Sequence, residues 1–328
     1  MKDQLRKFLT GIDIKQEYVC LALEDITDTF SVFLTTRHDD QSLDVTASHR
    51  FLGYSPLLMA VPFANEDTPA ARATDICLSF TANDSTVDCK WREFPSSQAS
   101  VARLHLKRIV ERRVGETFLV FYEGTLGWHR LLGAFHRMTN RWLQQIKRKP
   151  AGNVSLGSNL YEQVRIAYSL PRIISLVSVG DGARMNLFPT DLHGPVGDGH
   201  YVSSLRVGGR ACEQVEHCRR IAISEVNATA YKAVYRLGKN HMKPMDYASA
   251  FELHTTASAT WAIALPAAVV HYRELEWYDC FDWGIHRLYC YRTVYSRRVS
   301  DFKRLAHVHN CYAQWRNDAG LRTEYLLR

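Results

Sequence analysis

Nowhere in this chain do about 18 apolar residues run together, the length a membrane-spanning helix needs, so the sequence offers no helical membrane anchor. The opening MKDQLRKFLTGIDIKQEYVC is interrupted by Asp3, Arg6, Lys7, Asp13 and Lys15, which leaves no apolar stretch for a secretory leader. Cysteine never occurs as a C-x-x-C pair. Cys20, Cys77, Cys89, Cys212, Cys218, Cys280, Cys290 and Cys311 stand singly at uneven intervals, which argues against a zinc ribbon and against a dense disulfide framework. The expectation is a soluble cytoplasmic protein whose thiols stay reduced. A basic tail is also missing: 41 Lys and Arg are interspersed with 34 Asp and Glu. The resulting net charge of +7 favours acidic partners in general, and an anionic small molecule satisfies it as well as nucleic acid.

What is present is ordinary globular material, 328 residues of which 46% are hydrophobic, enough for two modest domains. From Cys20 to Leu126, β-rich runs (FSVFLTT, SPLLMAVPF, ATDICLSF, VARLHLKRIV, ETFLVFYEG) alternate with polar turns, which predicts a meander of strands. Leu131, Leu132, Phe135, Met138, Trp142, Leu143 and Ile146 then recur at helical spacing, with Arg137, Arg141, Lys147, Arg148 and Lys149 on the other face and in the last turn. That basic stripe is accounted for by solvation and the helix dipole, and no nucleic-acid module accompanies it. Lys149-Pro150 and AGNVSLGSN mark a boundary, giving a β-rich N-terminal domain with a long amphipathic helix over 1–150 and a second domain over 151–328.

The second domain begins with PRIISLVSVGDGARMNLF, read as a strand, an Asp181-Gly182 turn and another strand. It runs into MNLFPTDLHGPVGDGH, a segment too apolar for a linker, yet broken by Pro189, Gly194, Pro195, Gly197 and Gly199. HYVSSLRV is a further strand, RACEQVEHCRRIAISEV a short helix entered through Gly208-Gly209, and PAAVVHYRELEWYDCFDWGIHRLYCYRTVYSRR two long strands joined at Asp282-Trp283-Gly284. VSDFKRLAHVHNCYAQW adds one more apolar segment. Antiparallel strands with one or two covering helices predict an α+β protein, mainly β, with a small barrel in its C-terminal half.

Two features of that half point to anion binding. The Pro- and Gly-rich loop offers main-chain amides and Thr190 to a planar ligand, and Arg206 and Arg210 bracket Gly208-Gly209 just before a helix N-terminus. By spacing alone, Arg-x-Gly-Gly-Arg is equally a hairpin turn with solvated arginines. His193 and His200 flank the loop, and His307-Val308-His309 sets two imidazoles on one strand face, but no third ligand follows at metal-binding spacing. Cys212 and Cys218 do not share a helix face well enough for a redox pair. Neither a Ser-His-Asp nor a paired-carboxylate arrangement stands out.

The succession PRIISLVSVGDGARMNLFPTDLHGPV, SSLRVGGRACEQVEHCRRIAIS and LPAAVVHYRELEWYDCFDWGIHRLYCYRTV resembles the flavin reductase-like, FMN-binding split-barrel family over about residues 168–315. The resemblance implies that Asn186, Leu187, Phe188, Pro189, Thr190, Asp191, Leu192 and His193 lie along the flavin, and that Arg206, Gly208, Arg210 and Ala211 receive its phosphate. It further implies that His286, in Trp283-Gly284-Ile285-His286, stands near the reacting face as the candidate catalytic residue. Two positions depart from the family: Ala211-Cys212 replaces a Ser or Thr, and Ile285 replaces the usual Asp. The implied activity is hydride transfer from NAD(P)H to FMN, with FAD the less expected flavin, in a homodimer whose subunits share the site. A flavin-binding sensor, store or electron-transfer protein without NAD(P)H turnover is the alternative. The role of the first 150 residues stays open between a degenerate second barrel, a dimerisation domain and a lid.

Overall fold

The computed structural model describes residues 2–25, 29–37, 42–82, 100–146, 156–157, 159–180, 183–321 and 323–326. Helix α1 (Lys2–Thr10) and strand β1 (Tyr18–Ala22) lead into β2 (Ser31–Thr36), β3 (Leu43–Asp44), β4 (Arg50–Tyr54) and β5 (Leu57–Phe63). One turn of helix, α2 (Pro69–Arg72), precedes β6 (Asp75–Thr81), and a long hairpin follows, β7 (Ser100–Val114) with β8 (Thr117–His129). Helices α3 (Ala134–Ile146) and α4 (Leu160–Ala167) come next, then β9 (Arg172–Ile173), β10 (Ser175–Gly180), β11 (Arg184–Thr190), β12 (His193–Pro195) and β13 (His200–Arg206). The chain continues through α5 (Arg210–Cys218), β14 (Arg220–Val226), α6 (Tyr231–Arg236) and β15 (Asp246–Tyr247). It closes with the hairpin β16 (Val269–Trp283) and β17 (His286–Arg298), then β18 (Leu305–His309) and α7 (Asn310–Asp318).

Two antiparallel sheets dominate this mainly β architecture. The first has seven strands in the order β3-β2-β6-β7-β8-β5-β4, the second eight in the order β12-β13-β17-β16-β14-β10-β11-β15. Each curls around its own core. Phe188 of β11 and Tyr201 of β13 lie far apart in the second sheet's order, yet they share a buried cluster with Ala211, Cys212 and Val215 of α5. Packed layers sit only about 10 Å apart, so the sheet has to bend back on itself to bring them together. In the first sheet Leu34 of β2 and Phe51 of β4 likewise share a buried cluster, which also includes Val164 and Ile166 of α4.

The two curled sheets are pressed against each other. Leu58, Ala60, Leu119 and Phe121 of the first share an apolar cluster with Val202, Leu288 and Cys290 of the second. Around it, Arg112 Nε meets Asp279 Oδ2 at 2.8 Å, and Trp283 Nε1 donates to Glu123 Oε2 at 2.8 Å. A third, three-stranded sheet, β1-β18-β9, joins the beginning of the chain to its end.

The structure revises several local expectations. The strand read as far as Phe188 runs on into the Pro- and Gly-rich segment: β11 pairs with β10 as far as Thr190, with Pro189 opposite Leu176. Strand β15 covers only Arg184 and Met185, so Pro189 stands on an edge where its missing amide removes no ladder bond. RACEQVEHCRRIAISEV divides into α5 and β14, because Arg219 takes a left-handed conformation (φ 59°) and its amide donates to Val215 O at 2.9 Å, ending the helix. In α3 the apolar stripe faces outward: Phe135, Met138, Trp142 and Ile146 are each more than half exposed, while Asn140 is buried and donates to Thr10 O at 2.8 Å. Cys89, the basic run Lys147 to Lys149 and the Asp181-Gly182 turn lie outside the described residues.

Candidate functional site

A cavity of about 1050 Å³ opens between the two curled sheets. On one side the chain presents the end of β11 and its continuation, Phe188 to Leu192, and the end of β13 at Arg206. On the other stand Tyr54 from β4 and Glu17 and Tyr18 from the start of the chain. Both halves of the sequence therefore build one recess.

One end of the cavity is cationic. Arg206 is followed by Gly208, whose φ of +76° only glycine adopts freely, and by Gly209, which caps α5 with no side-chain hydrogen bond. The positive end of the α5 dipole is thus left to meet an anion. Cys212 Sγ donates to Arg206 O at 3.1 Å, which ties the first turn of α5 back to the end of β13. Lys239 and His241, from the helical turn Leu237–Met242, complete this end.

His286, the first residue of β17, lines the middle of the cavity and is 1% exposed. Its Nε2 accepts the Tyr54 amide proton at 3.2 Å, so in the neutral ring the proton sits on Nδ1, which has no hydrogen-bond partner among the described residues. Burial, reinforced by the Arg206 charge, lowers its pKa to about 4. The imidazole is consequently neutral near pH 7 and holds one unspent donor beside the cavity.

Beyond His286 lies a hydrogen-bonded chain of aromatic and acidic groups. Asp191 Oδ2 accepts from Tyr168 OH at 2.6 Å and from His307 Nε2 at 2.8 Å. On its other nitrogen His307 meets Tyr235 OH at 3.1 Å, and its ring stacks on Tyr18 with centroids 5.3 Å apart. Burial acts to raise the Asp191 pKa, but the hydrogen bonds from His307 and Tyr168 outweigh it and hold the carboxyl below its ordinary range. Burial and the charge of Asp191 push Tyr168 well above 10. At the far end Gln144 Nε2 donates to Tyr161 OH at 2.8 Å and to Glu17 Oε1 at 3.1 Å.

Most of the residues singled out from sequence converge here. Phe188, Pro189, Thr190, Asp191, Leu192, Arg206, Gly208, Ala211 and His286 all line the one cavity. Four others sit elsewhere. Asn186 is buried beneath the site, where Nδ2 donates to Gln214 Oε1 and to Asn240 O, each at 2.8 Å, bracing β11 against α5 and the 237–242 turn. Leu187 packs in a separate apolar cluster, and His193 Nδ1 meets Tyr201 OH at 2.6 Å. Arg210 is exposed on α5 and pairs with Glu213 Oε2 at 2.7 Å.

Tyr18, Tyr54, Tyr168, Lys239 and His241 were not legible as site residues, because isolated tyrosines in strands and a lysine in a short turn carry no local pattern. The His307-Val308-His309 doublet was visible, but the two rings have separate tasks. His307 binds Asp191, and His309 caps α7 by accepting the Cys311 amide at 3.1 Å. Among the described residues no three His, Cys, Asp or Glu side chains gather as metal ligands.

No protein-family model matches the chain, and curated proteins likewise give no match. Solved structures similar to it are flavin reductases and FMN-binding proteins. They include an NADH:FAD oxidoreductase from Streptomyces globisporus (14% identity, 49% of this chain and 95% of that one, TM-score 0.41). BorF, the flavin reductase component of a bacterial two-component tryptophan halogenase, is 14% identical over 51% of this chain and 98% of its own, with TM-score 0.41. An FMN-binding protein from Thermus thermophilus with bound p-hydroxybenzaldehyde is 17% identical over 47% and 82%, with TM-score 0.37.

Proposed function

We propose that the cavity binds FMN and that the protein is a flavin-dependent oxidoreductase, taking hydride from NADH or NADPH. The observation that carries this reading is the meeting, in one recess, of the Phe188–Leu192 wall, the Arg206–Gly208–Gly209 turn ahead of α5, and a buried His286 with an unpartnered Nδ1. These residues fit the cofactor's chemistry. Arg206, the first turn of α5 and Lys239 would hold a phosphate through charge and amide donors. Phe188 to Leu192 would carry an apolar ring, and the Nδ1 donor of His286 would meet a polar atom on the ring's edge.

When bound, the flavin supplies the hydride-accepting chemistry. The chain's own part is positional. His286 stays neutral and donates, Asp191 stays charged and fixes His307 and Tyr168, and the aromatic wall keeps water away. The cationic cluster of Arg206 and Lys239 beside the start of α5 suits the one phosphate of FMN. The free thiols of Cys20, Cys77, Cys212, Cys218, Cys280, Cys290 and Cys311 support placement in the reducing cytoplasm, and no helix among the described residues is long and apolar enough to cross a membrane.

The test is an absorbance spectrum of purified protein, an FMN titration, and anaerobic addition of NADH or NADPH. Saturable FMN binding followed by bleaching of the flavin band supports the reductase. A band that persists turns the reading to a flavin-binding or electron-transfer protein, and failure to bind FMN rejects it.

A further inference from the structure

We infer that the chain is a fused pair of equivalent barrels, of which only the second keeps a phosphate-binding turn, so that one chain forms one complete flavin site with the first barrel as its other wall. This rests on the flavin reading above.

The equivalence is visible in the topology. Read from its other edge, the first sheet runs β4-β5-β8-β7-β6-β2-β3, and the second runs β12-β13-β17-β16-β14-β10-β11 before β15. Strand by strand, position in the sheet and order in the chain agree. Helix α2 falls between β5 and β6, as α5 falls between β13 and β14. The long hairpins match residue for residue: β7 and β16 have 15 residues each, β8 and β17 have 13, and Gly115 and Gly284 begin the turns with φ of +62° and +59°. The ladders skip Ile109 and Tyr278, each six residues before its glycine, and Thr125 and Val294, each ten after. Leu119 and Tyr122 recur as Leu288 and Tyr291 at the same distance from the turn.

The contacts between the barrels are reciprocal. A Cβ on Gly53, in β4, would lie 2.9 Å from His286, the first residue of β17, and one on Gly197, after β12, would collide with Thr117, the first residue of β8. Likewise the Gly284 turn abuts Ser55 and Pro56 between β4 and β5, while a Cβ on Gly115 would lie 2.7 Å from His200 at the start of β13. Contact from i to j matched by contact from j to i is how two units related by a two-fold axis meet. Here both units belong to one chain.

The repeats differ where the cofactor's phosphate would sit. Strands β5 and β13 each have seven residues, and Phe63 ends the first where Arg206 ends the second. The sequence after Phe63 is Ala64-Asn65-Glu66-Asp67-Thr68, which sets Asn65 and Glu66 where Gly208 and Gly209 stand and Asp67 where Arg210 stands. Helix α2 is a single turn whose cap is already filled by Thr68 Oγ1, which accepts the Ala71 amide at 3.2 Å. Like charge repels a phosphate there, and the first barrel serves the site through the Tyr54 side chain, which lines the cavity and packs its ring edge-on against His286 with centroids 4.8 Å apart.

FMN titration followed by fluorescence, run with sedimentation velocity over a hundredfold range of protein concentration, tests this. Expected are one FMN per chain, a Kd independent of protein concentration, and binding by the monomer. Tyr54→Ala should weaken FMN at least tenfold, whereas Thr117→Ala, at the counterpart of His286, should leave the Kd within twofold. Two FMN per chain, binding confined to a dimer fraction, or equal effects of the two substitutions overturns the inference while leaving flavin binding intact. Absence of FMN binding in the unaltered protein rejects the flavin reading itself, and the one-site inference with it.

Discussion

Protonation of His286 offers a quantitative check on how deeply the centre of the site is buried. Its pKa falls from 6.5 to about 4, first because burial disfavours the charged ring and second because Arg206 is near. A folded pKa below the unfolded one means that the unfolded chain takes up the proton first on acidification. The stabilisation is therefore complete above pH 6.5 and is lost as pH falls from 6.5 towards 4. At about 1.36 kcal/mol per pH unit, that gap corresponds to a loss of roughly 3 kcal/mol, with a limiting slope close to one proton. Urea unfolding of the wild type and of His286→Asn, which keeps an acceptor for the Tyr54 amide, should be compared from pH 8 to pH 4.5. The wild type should lose about 2 to 3 kcal/mol more than the variant over that interval. Parallel curves would show that the folded ring titrates normally, and the argument for a neutral donor facing the cavity would fail.

Three further outcomes follow from the same geometry. Arg206→Ala should weaken FMN by about tenfold to a hundredfold, the range of a charge-assisted hydrogen bond, whereas Arg210→Glu should change the Kd by less than threefold because that side chain points to solvent beside Glu213; equilibrium fluorescence titration reads both. Leu58→Ala, in the apolar cluster between the barrels, should cost about 2 to 5 kcal/mol and lower a single calorimetric transition rather than one of two. Trp283→Phe removes the donor to Glu123 across the same interface and should cost on the order of 1 kcal/mol in urea midpoint analysis.

Much of the strand content was legible because alternation and β-branching report on the local backbone. FSVFLTT, ATDICLSF and ETFLVFYEG became β2, β6 and β8. Where the sequence misled, tertiary placement had overridden composition. Pro189 reads as a strand breaker, yet it is accepted on an edge that β15 leaves uncovered. Phe135, Met138 and Trp142 read as a core-facing stripe, yet Asn140 is the residue that turns inward. The site was half legible. The apolar loop and the Arg-x-Gly-Gly turn are contiguous and form a pattern, while Tyr18, Tyr54 and His307 come from distant segments and meet only in three dimensions. One signal of the repeat was readable: a glycine followed at fixed intervals by Leu and Tyr occurs in both long hairpins.

The small sheet joining β1 to β18 has a consequence for how the chain is made. Tyr18 pairs with His309, the Asp13 amide donates to Gln314 Oε1 at 2.9 Å, and Asn310 Nδ2 donates to Gln16 O at 2.8 Å, so β1 meets the strand it pairs with late in the sequence. During synthesis the first barrel emerges long before those partners exist, with β1 lacking β18, its neighbour in the sheet order. Loop closure over so long a span is slow, and an unpaired strand edge is prone to wrong pairing in the interval. Completion of the fold is thereby linked to the synthesis of β18, and a chain cut short before Leu305 would leave that edge permanently open.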